Sequence, residues 1–146
     1  MRILLAASLF AVAAAVNAAD ATAPLGVWQT YDDDTHAAKA WVEIEAHDGE
    51  LSGRIVKLFR EAGEEPNPRC HKCHGERHDQ PVLGMNILWG MHRDGDAWSG
   101  GEILDPEDGK TYRCTLRTAT DGQLEVRGFV GISLLGRTQV WKRLPP

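Results

Sequence analysis

Thr111-Tyr-Arg-Cys-Thr-Leu-Arg-Thr118, followed by Asp121-Gly122 and then Leu124-Glu-Val-Arg-Gly-Phe-Val130, is the stretch whose reading decides the fold. Tyr112, Cys114 and Leu116 fall at every second position, and so do Leu124, Val126, Gly128 and Val130. Period-two apolarity is the signature of a strand with one face buried, because successive side chains of an extended chain point to opposite sides. Asp-Gly between two such runs is a strong hairpin signal. A short connection also forces its two strands to be antiparallel.

The same rhythm continues outward in both directions. Gly26-Val-Trp-Gln-Thr-Tyr31 reads as a short first strand. In residues 39–46, Ala40, Val42, Ile44 and Ala46 fall on one face with Lys39, Glu43 and Glu45 on the other, and Asp48-Gly49 turns the chain into a strand from Leu51 to Phe59. Within that strand the apolar side changes from Leu51 and Ile55 to Val56 and Leu58, which predicts a bulge or an end buried on both faces. Leu83, Met85, Ile87, Trp89 and Met91 predict one face of the next strand, and Trp98 to Asp105 follow after Asp94-Gly95. Gly100-Gly101 inside that run marks a bulge or a close backbone approach. Arg137 to Arg143 completes the set. Eight antiparallel strands in sequence order predict an all-β, up-and-down barrel, which encloses its own side chains or one small ligand. Closure pairs the first strand with the last, so Trp28 is expected to meet Arg143 or Arg137. An open sandwich of the same strands is the alternative.

Ahead of the barrel, Met1-Arg2 and an apolar run from Ile3 to Val16 precede Val16-Asn17-Ala18. This is the pattern of a signal peptide, 1–18, cleaved after Ala18. The run is shorter than the ~20 residues a membrane span needs, and no later segment is a candidate, so no span is expected in the mature chain. Residues 24–146 read as a single domain. Without Arg2 the chain carries 15 basic against 21 acidic residues, a net charge of −6, with the basic residues scattered. Nucleic acid and anionic membrane surfaces are therefore not expected partners. The expected location is periplasmic or secreted.

Several motifs carry a family resemblance. They are Cys70-x-x-Cys73, Gln80-Pro-Val-Leu-Gly-Met85, Trp98-Ser-Gly-Gly-Glu-Ile-Leu-Asp-Pro106, Gly109-Lys-Thr-Tyr-Arg-Cys114, and the run from Val126 through Gly131-Ile-Ser-Leu-Leu-Gly136 to Trp141. Together they resemble the bacterial secreted proteins grouped as domain of unknown function 2147, from Gly26 to Arg143. Gly26-Val27-Trp28 at the start of the first strand is similar to the lipocalins. The resemblance implies a lipocalin-like barrel in the bacterial periplasm and no established activity. His74, directly after the second cysteine, departs from the family pattern.

Residues 60–81 interrupt the strand rhythm with three prolines, many charges and both close cysteines. A connection of this length is usually functional or pinned by something. In an oxidising compartment Cys70 and Cys73 are close enough to form a disulfide, and this is the leading expectation. Cys70-His71-Lys72-Cys73-His74 also matches the attachment motif for haem c, with Met85, Met91 or His92 as a sixth ligand. Zinc is the third reading, from Cys70, His71, Cys73, His74 and His78, although structural zinc usually draws on two separated clusters. Cys114 is left over, at an apolar strand position. No catalytic constellation is visible: Gly131-Ile-Ser133-Leu-Leu-Gly136 is not a nucleophile elbow, and Asp105 and Asp108 read as turn residues. The chain is thus expected to be a non-catalytic binding barrel, not an enzyme. Its partner would be a small apolar ligand or an envelope protein, with no resident cofactor. If the barrel holds a ligand, Arg127 or Arg137 could orient a carboxylate inside it, and Trp89 and Tyr112 are candidate lining residues; the leading expectation for the arginines is that they face outward into solvent or that one packs on Trp28 or Trp141.

Overall fold

A computed structural model describes residues 23–146; the expected signal peptide, 1–18, lies outside the described residues. The eight strands are β1 (Gly26–Tyr31), β2 (Ala38–His47), β3 (Glu50–Leu58), β4 (Asn86–Asp94), β5 (Ala97–Asp105), β6 (Lys110–Thr118), β7 (Leu124–Phe129) and β8 (Arg137–Arg143). Each pairs antiparallel with the next, and β8 pairs with β1, so the sheet closes into a barrel. The open sandwich is thereby excluded. Among the described residues, no helix is long and apolar enough to cross a membrane.

The predicted alternation places most of the core. Ala40, Val42 and Ile44 of β2, Leu51 and Ile55 of β3, Cys114 and Leu116 of β6, and Leu124 and Val126 of β7 are all buried. Val56 is the extra residue of a bulge: Trp41 pairs with Lys57, but Val42 pairs with Ile55. This leaves Val56 half-exposed. Ala46, beside the β2–β3 turn, is exposed although its cross-strand partner Leu51 is buried.

The expected single face of Leu83, Met85, Ile87, Trp89 and Met91 is not formed. Residues 82–85 precede β4 as a turn, with the Met85 amide donating to the Val82 carbonyl. Leu83 is accordingly exposed. Within β4 both Ile87 and Leu88 are buried, because the register against β3 shifts between the Leu51–Met91 and Gly53–Leu88 pairs. Gly101 of β5 makes this kink possible. A Cβ there would collide with the Trp89 carbonyl and the Met91 sulfur.

The two ends of the barrel differ. At the end holding the β2–β3, β4–β5 and β6–β7 turns, Trp28, Ile44, Leu51, Met91, Leu116 and Leu124 are almost wholly buried and form a solid plug. Burying each such side chain contributes about 1.5–3 kcal/mol. The Trp28 indole donates to the Pro24 carbonyl at 2.9 Å, so its one polar atom is satisfied in the plug. Arg143 covers the same ring at 4.3 Å and donates to the Leu25 carbonyl at 2.6 Å. That end is shut; the other is not.

Candidate functional site

Where the β1–β2, β3–β4, β5–β6 and β7–β8 connections meet, the barrel opens into a cavity of about 750 Å3. Its wall is built from inward positions in the mouth-side halves of the strands: Ala40 and Val42, Ile55, Ile87, Leu104, Val126 and Trp141. Thr30, a buried polar residue on this wall, directs its hydroxyl to the Ala40 carbonyl at 3.4 Å. Trp141 donates to Gln139 at 3.1 Å, and the Gln139 amide donates in turn to Asp33. Among the described residues, no buried side-chain nitrogen or oxygen lacks a hydrogen-bond partner. The interior is therefore an apolar wall with its few polar atoms already engaged.

The rim is charged but internally paired. Lys39 meets Glu107 at 2.8 Å, Arg137 meets Asp33 at 3.0 Å, and Arg60 meets Glu64 at 3.6 Å. The Tyr112 hydroxyl donates to Asp108 at 2.5 Å. That hydrogen bond, with burial and the Asp108 and Asp105 charges, pushes the Tyr112 phenol up to about 12. Asp105 and Asp108 also accept from the amides of Glu107 and Lys110, as turn residues do.

The long β3–β4 connection folds over one side of the mouth and is held in two ways. A disulfide joins Cys70 to Cys73, both buried. The β5–β6 turn then packs against this knot: Cys70 Sγ lies 3.4 Å from the Pro106 carbonyl oxygen, and at Gly109, with φ +72°, a Cβ would run into the Lys72 carbonyl. On the outer side His71 Nδ1 donates to Asp79 at 2.6 Å, and His78 Nε2 lies 3.2 Å from the other Asp79 oxygen. The His71 hydrogen bond, then the neighbouring positive charges, hold the Asp79 carboxyl below its ordinary range. A smaller cleft of about 380 Å3 between this loop and β6 is lined by Cys73, His74, Arg77 and Lys110, and shares Leu104, Tyr112 and Val130 with the main cavity.

The structure sorts the residues singled out from sequence. Tyr112 and Arg137 line the cavity. Trp89 and Arg127 do not: Trp89 carries the Arg77 guanidinium on its ring at 4.2 Å and donates to Glu102, while Arg127 donates to Thr138 at 2.8 Å. Trp89 is displaced by the kink in β4, and Arg127 sits out of phase with the inward Val126. Met85 is buried in the core, whereas His74 is exposed. With Cys70 and Cys73 bonded to each other, neither sulfur is available for a thioether or a thiolate–metal bond in this state. Cys114 is a free, buried thiol, which burial pushes up to about 12. Trp141 and Gln139 were not anticipated as lining. Their strand shows no apolar alternation, because Gln139 points in at the mouth while Val140 points out, 45% exposed.

A closed eight-stranded barrel, plugged at one end and hollow at the other, defines a lipocalin-like calyx. Its counterpart among solved structures is protein HP1028 from the human pathogen Helicobacter pylori, described as belonging to the lipocalin family; the two share 21% identity over 84% of each chain, with a TM-score of 0.72. The chain belongs to the bacterial family described as "Uncharacterized protein conserved in bacteria (DUF2147)", whose profile matches residues 26–143. No curated protein sequence matches it.

Proposed function

We propose that this protein is a non-catalytic carrier that holds one small, largely apolar and uncharged molecule in the calyx. The observation that carries this reading is the cavity of about 750 Å3, whose inner wall is apolar beneath a charged rim. Its volume falls within the ~300–1,000 Å3 usual for ligand sites. A charged ligand is the poorer match. Of the rim cations, Lys39, Arg60 and Arg137 are each already paired with a carboxylate and Arg69 donates to the Asp79 carbonyl at 2.9 Å, and an isolated charge on the inner wall would lose its hydration without compensation. The Cys70–Cys73 disulfide, a bond that persists in oxidising compartments, and the signal-like residues 1–18 support a site of action outside the cytoplasm.

Gly128 offers a direct test. It lines the cavity, and a Cβ built on it meets Tyr112 at an ordinary 3.5 Å. Gly128→Leu should therefore fold while filling the space. Titration with the neutral fluorophore 1-aminoanthracene should give saturable one-to-one binding to the native protein. Gly128→Leu should weaken it about tenfold or more, the equivalent of ~1.4 kcal/mol, with the melting temperature little changed. Absence of saturable binding to the native protein would reject the carrier reading in favour of an envelope protein as partner.

A further inference from the structure

The β7–β8 connection, 130–136, places Val130, Ile132, Leu134 and Leu135 in the solvent, with 67%, 59%, 85% and 77% of their surfaces exposed. Among the described residues these are the four most exposed large apolar side chains, and all four fall within six consecutive positions, 130–135. We propose that this loop is a lipid-docking tip that seats the calyx mouth on the surface of a zwitterionic bilayer. This goes beyond the carrier reading, on which it rests only for the purpose of docking.

Exposed apolar clusters of this kind mark contact with a partner or a membrane. Three observations favour lipid. The first is extent. The tip is seven residues long, whereas a stable protein interface takes roughly 20–30 residues a side, so a second copy or a rigid partner would gain too little from it. The second is composition. The large apolar residues of the segment are all aliphatic, three of them between Gly131 and Gly136, without the Trp, Tyr, Arg or Met that anchor protein interfaces. The third is position. Val130 and Leu135 also line the calyx, so the tip adjoins the opening of the cavity. A molecule suited to the cavity dissolves poorly in water and partitions into lipid, and docking by the tip would bring the lipid beside that opening.

The shape of the tip is built in. Ser133–Leu135 form a single 3-10 turn in which the Leu135 amide donates to the Ile132 carbonyl at 3.1 Å. The backbone groups of the turn are thus partly satisfied internally, which lowers the cost of carrying it into a poorly hydrated layer. The net charge of −6 outside residues 1–18 gives no attraction to anionic lipid. Docking should accordingly depend on apolar burial and be insensitive to salt.

The test is co-sedimentation of the naturally processed protein with phosphatidylcholine vesicles, at low and at high salt. The native protein should sediment with the vesicles equally at both. Ile132→Asp/Leu134→Asp, at two exposed positions that do not line the calyx, should reduce the bound fraction about tenfold or more, because two large apolar groups would no longer be buried. Both side chains are solvent-facing, so the variant should keep its strand signal, its melting temperature and its 1-aminoanthracene binding. A Leu134→Trp variant should show a blue-shifted emission on adding vesicles. Native protein that stays in solution, or a double variant that sediments as well as native, overturns the proposal. So does sedimentation-velocity evidence that the native chain is a dimer which the double variant disrupts, since a second copy would then cover the tip. Loss of fluorophore binding with vesicle binding intact would refute the carrier reading while leaving the docking tip standing.

Discussion

On the cavity wall, Tyr112 combines an inward aromatic ring with a hydroxyl committed to Asp108. Because the neighbouring carboxylate and burial disfavour phenolate, the ionisation is pushed up to about 12 from an ordinary 10.0. A raised pKa means that the associated stability is fully present below pH 10.0 and is lost as the pH climbs toward 12. Phenolate absorbance should show this late step in the folded protein, and Tyr112→Phe should remove it. A step at the ordinary tyrosine value that Tyr112→Phe abolishes, leaving only the signal of Tyr31, would contradict the Asp108 contact. The role of Tyr112 as lining was legible in the sequence, because it sits in phase with Cys114 and Leu116. Its partner was not, because Asp108 sits in a turn motif where an aspartate is expected for local reasons alone. Trp89 illustrates the opposite outcome. It alternates correctly with Ile87 on paper, but the kink permitted by Gly101 turns it away from the cavity.

The β3–β4 connection and the β5–β6 turn behave as one element. Neither has regular structure over most of its length, and each is shaped by the other through Gly109 and the disulfide. Gly109→Ala places a methyl group against the Lys72 backbone at a positive φ. Left-handed strain of this kind costs about 1–3 kcal/mol, and chemical denaturation should register a loss of that size or more. Reducing the Cys70–Cys73 bond should have an effect of comparable size. A cross-link spanning four residues restricts the unfolded chain by about 2 kcal/mol in the chain-entropy description. Hydrogen exchange after reduction should accelerate at the Cys70 and Asp79 amides, which donate to the Gln80 and Cys70 carbonyls, while β2 and β6 stay protected. Exchange that accelerates uniformly across the barrel would show that the knot supports the whole sheet rather than its own loop.

For the whole molecule, the β1–β8 seam is the point on which closure depends. Its ladder is short, with Trp28 opposite Arg143 and Gln29 opposite Lys142. The Arg143 guanidinium over Trp28, its bond to Leu25, and the Asp33 contacts to Arg137 and Gln139 strengthen it from both ends. Trp28→Ala should cost about 3–5 kcal/mol, as large core truncations do, and Arg143→Ala about 1 kcal/mol. Arg143→Ala should also speed amide exchange in β1 and β8 more than in β4 to β6; an even effect would place the weak point elsewhere. The sequence by itself determined the strand count, the antiparallel order and most of the buried positions, while the β1–β8 pairing that closes the barrel was decided by the tertiary structure. The count, order and buried positions follow from local rules: two-residue periodicity and short turns leave an antiparallel chain few other solutions. Only the tertiary structure decided that one end is plugged and the other hollow, that Gln139 and Trp141 face inward, and that Trp89 and Arg127 do not. Each of those depends on how much side-chain volume eight strands bring to the same level of the barrel, and on register shifts at Val56 and in β4 that re-aim whole runs of residues. Such sums are taken across the barrel, between residues far apart in the chain, and no single stretch of sequence carries them.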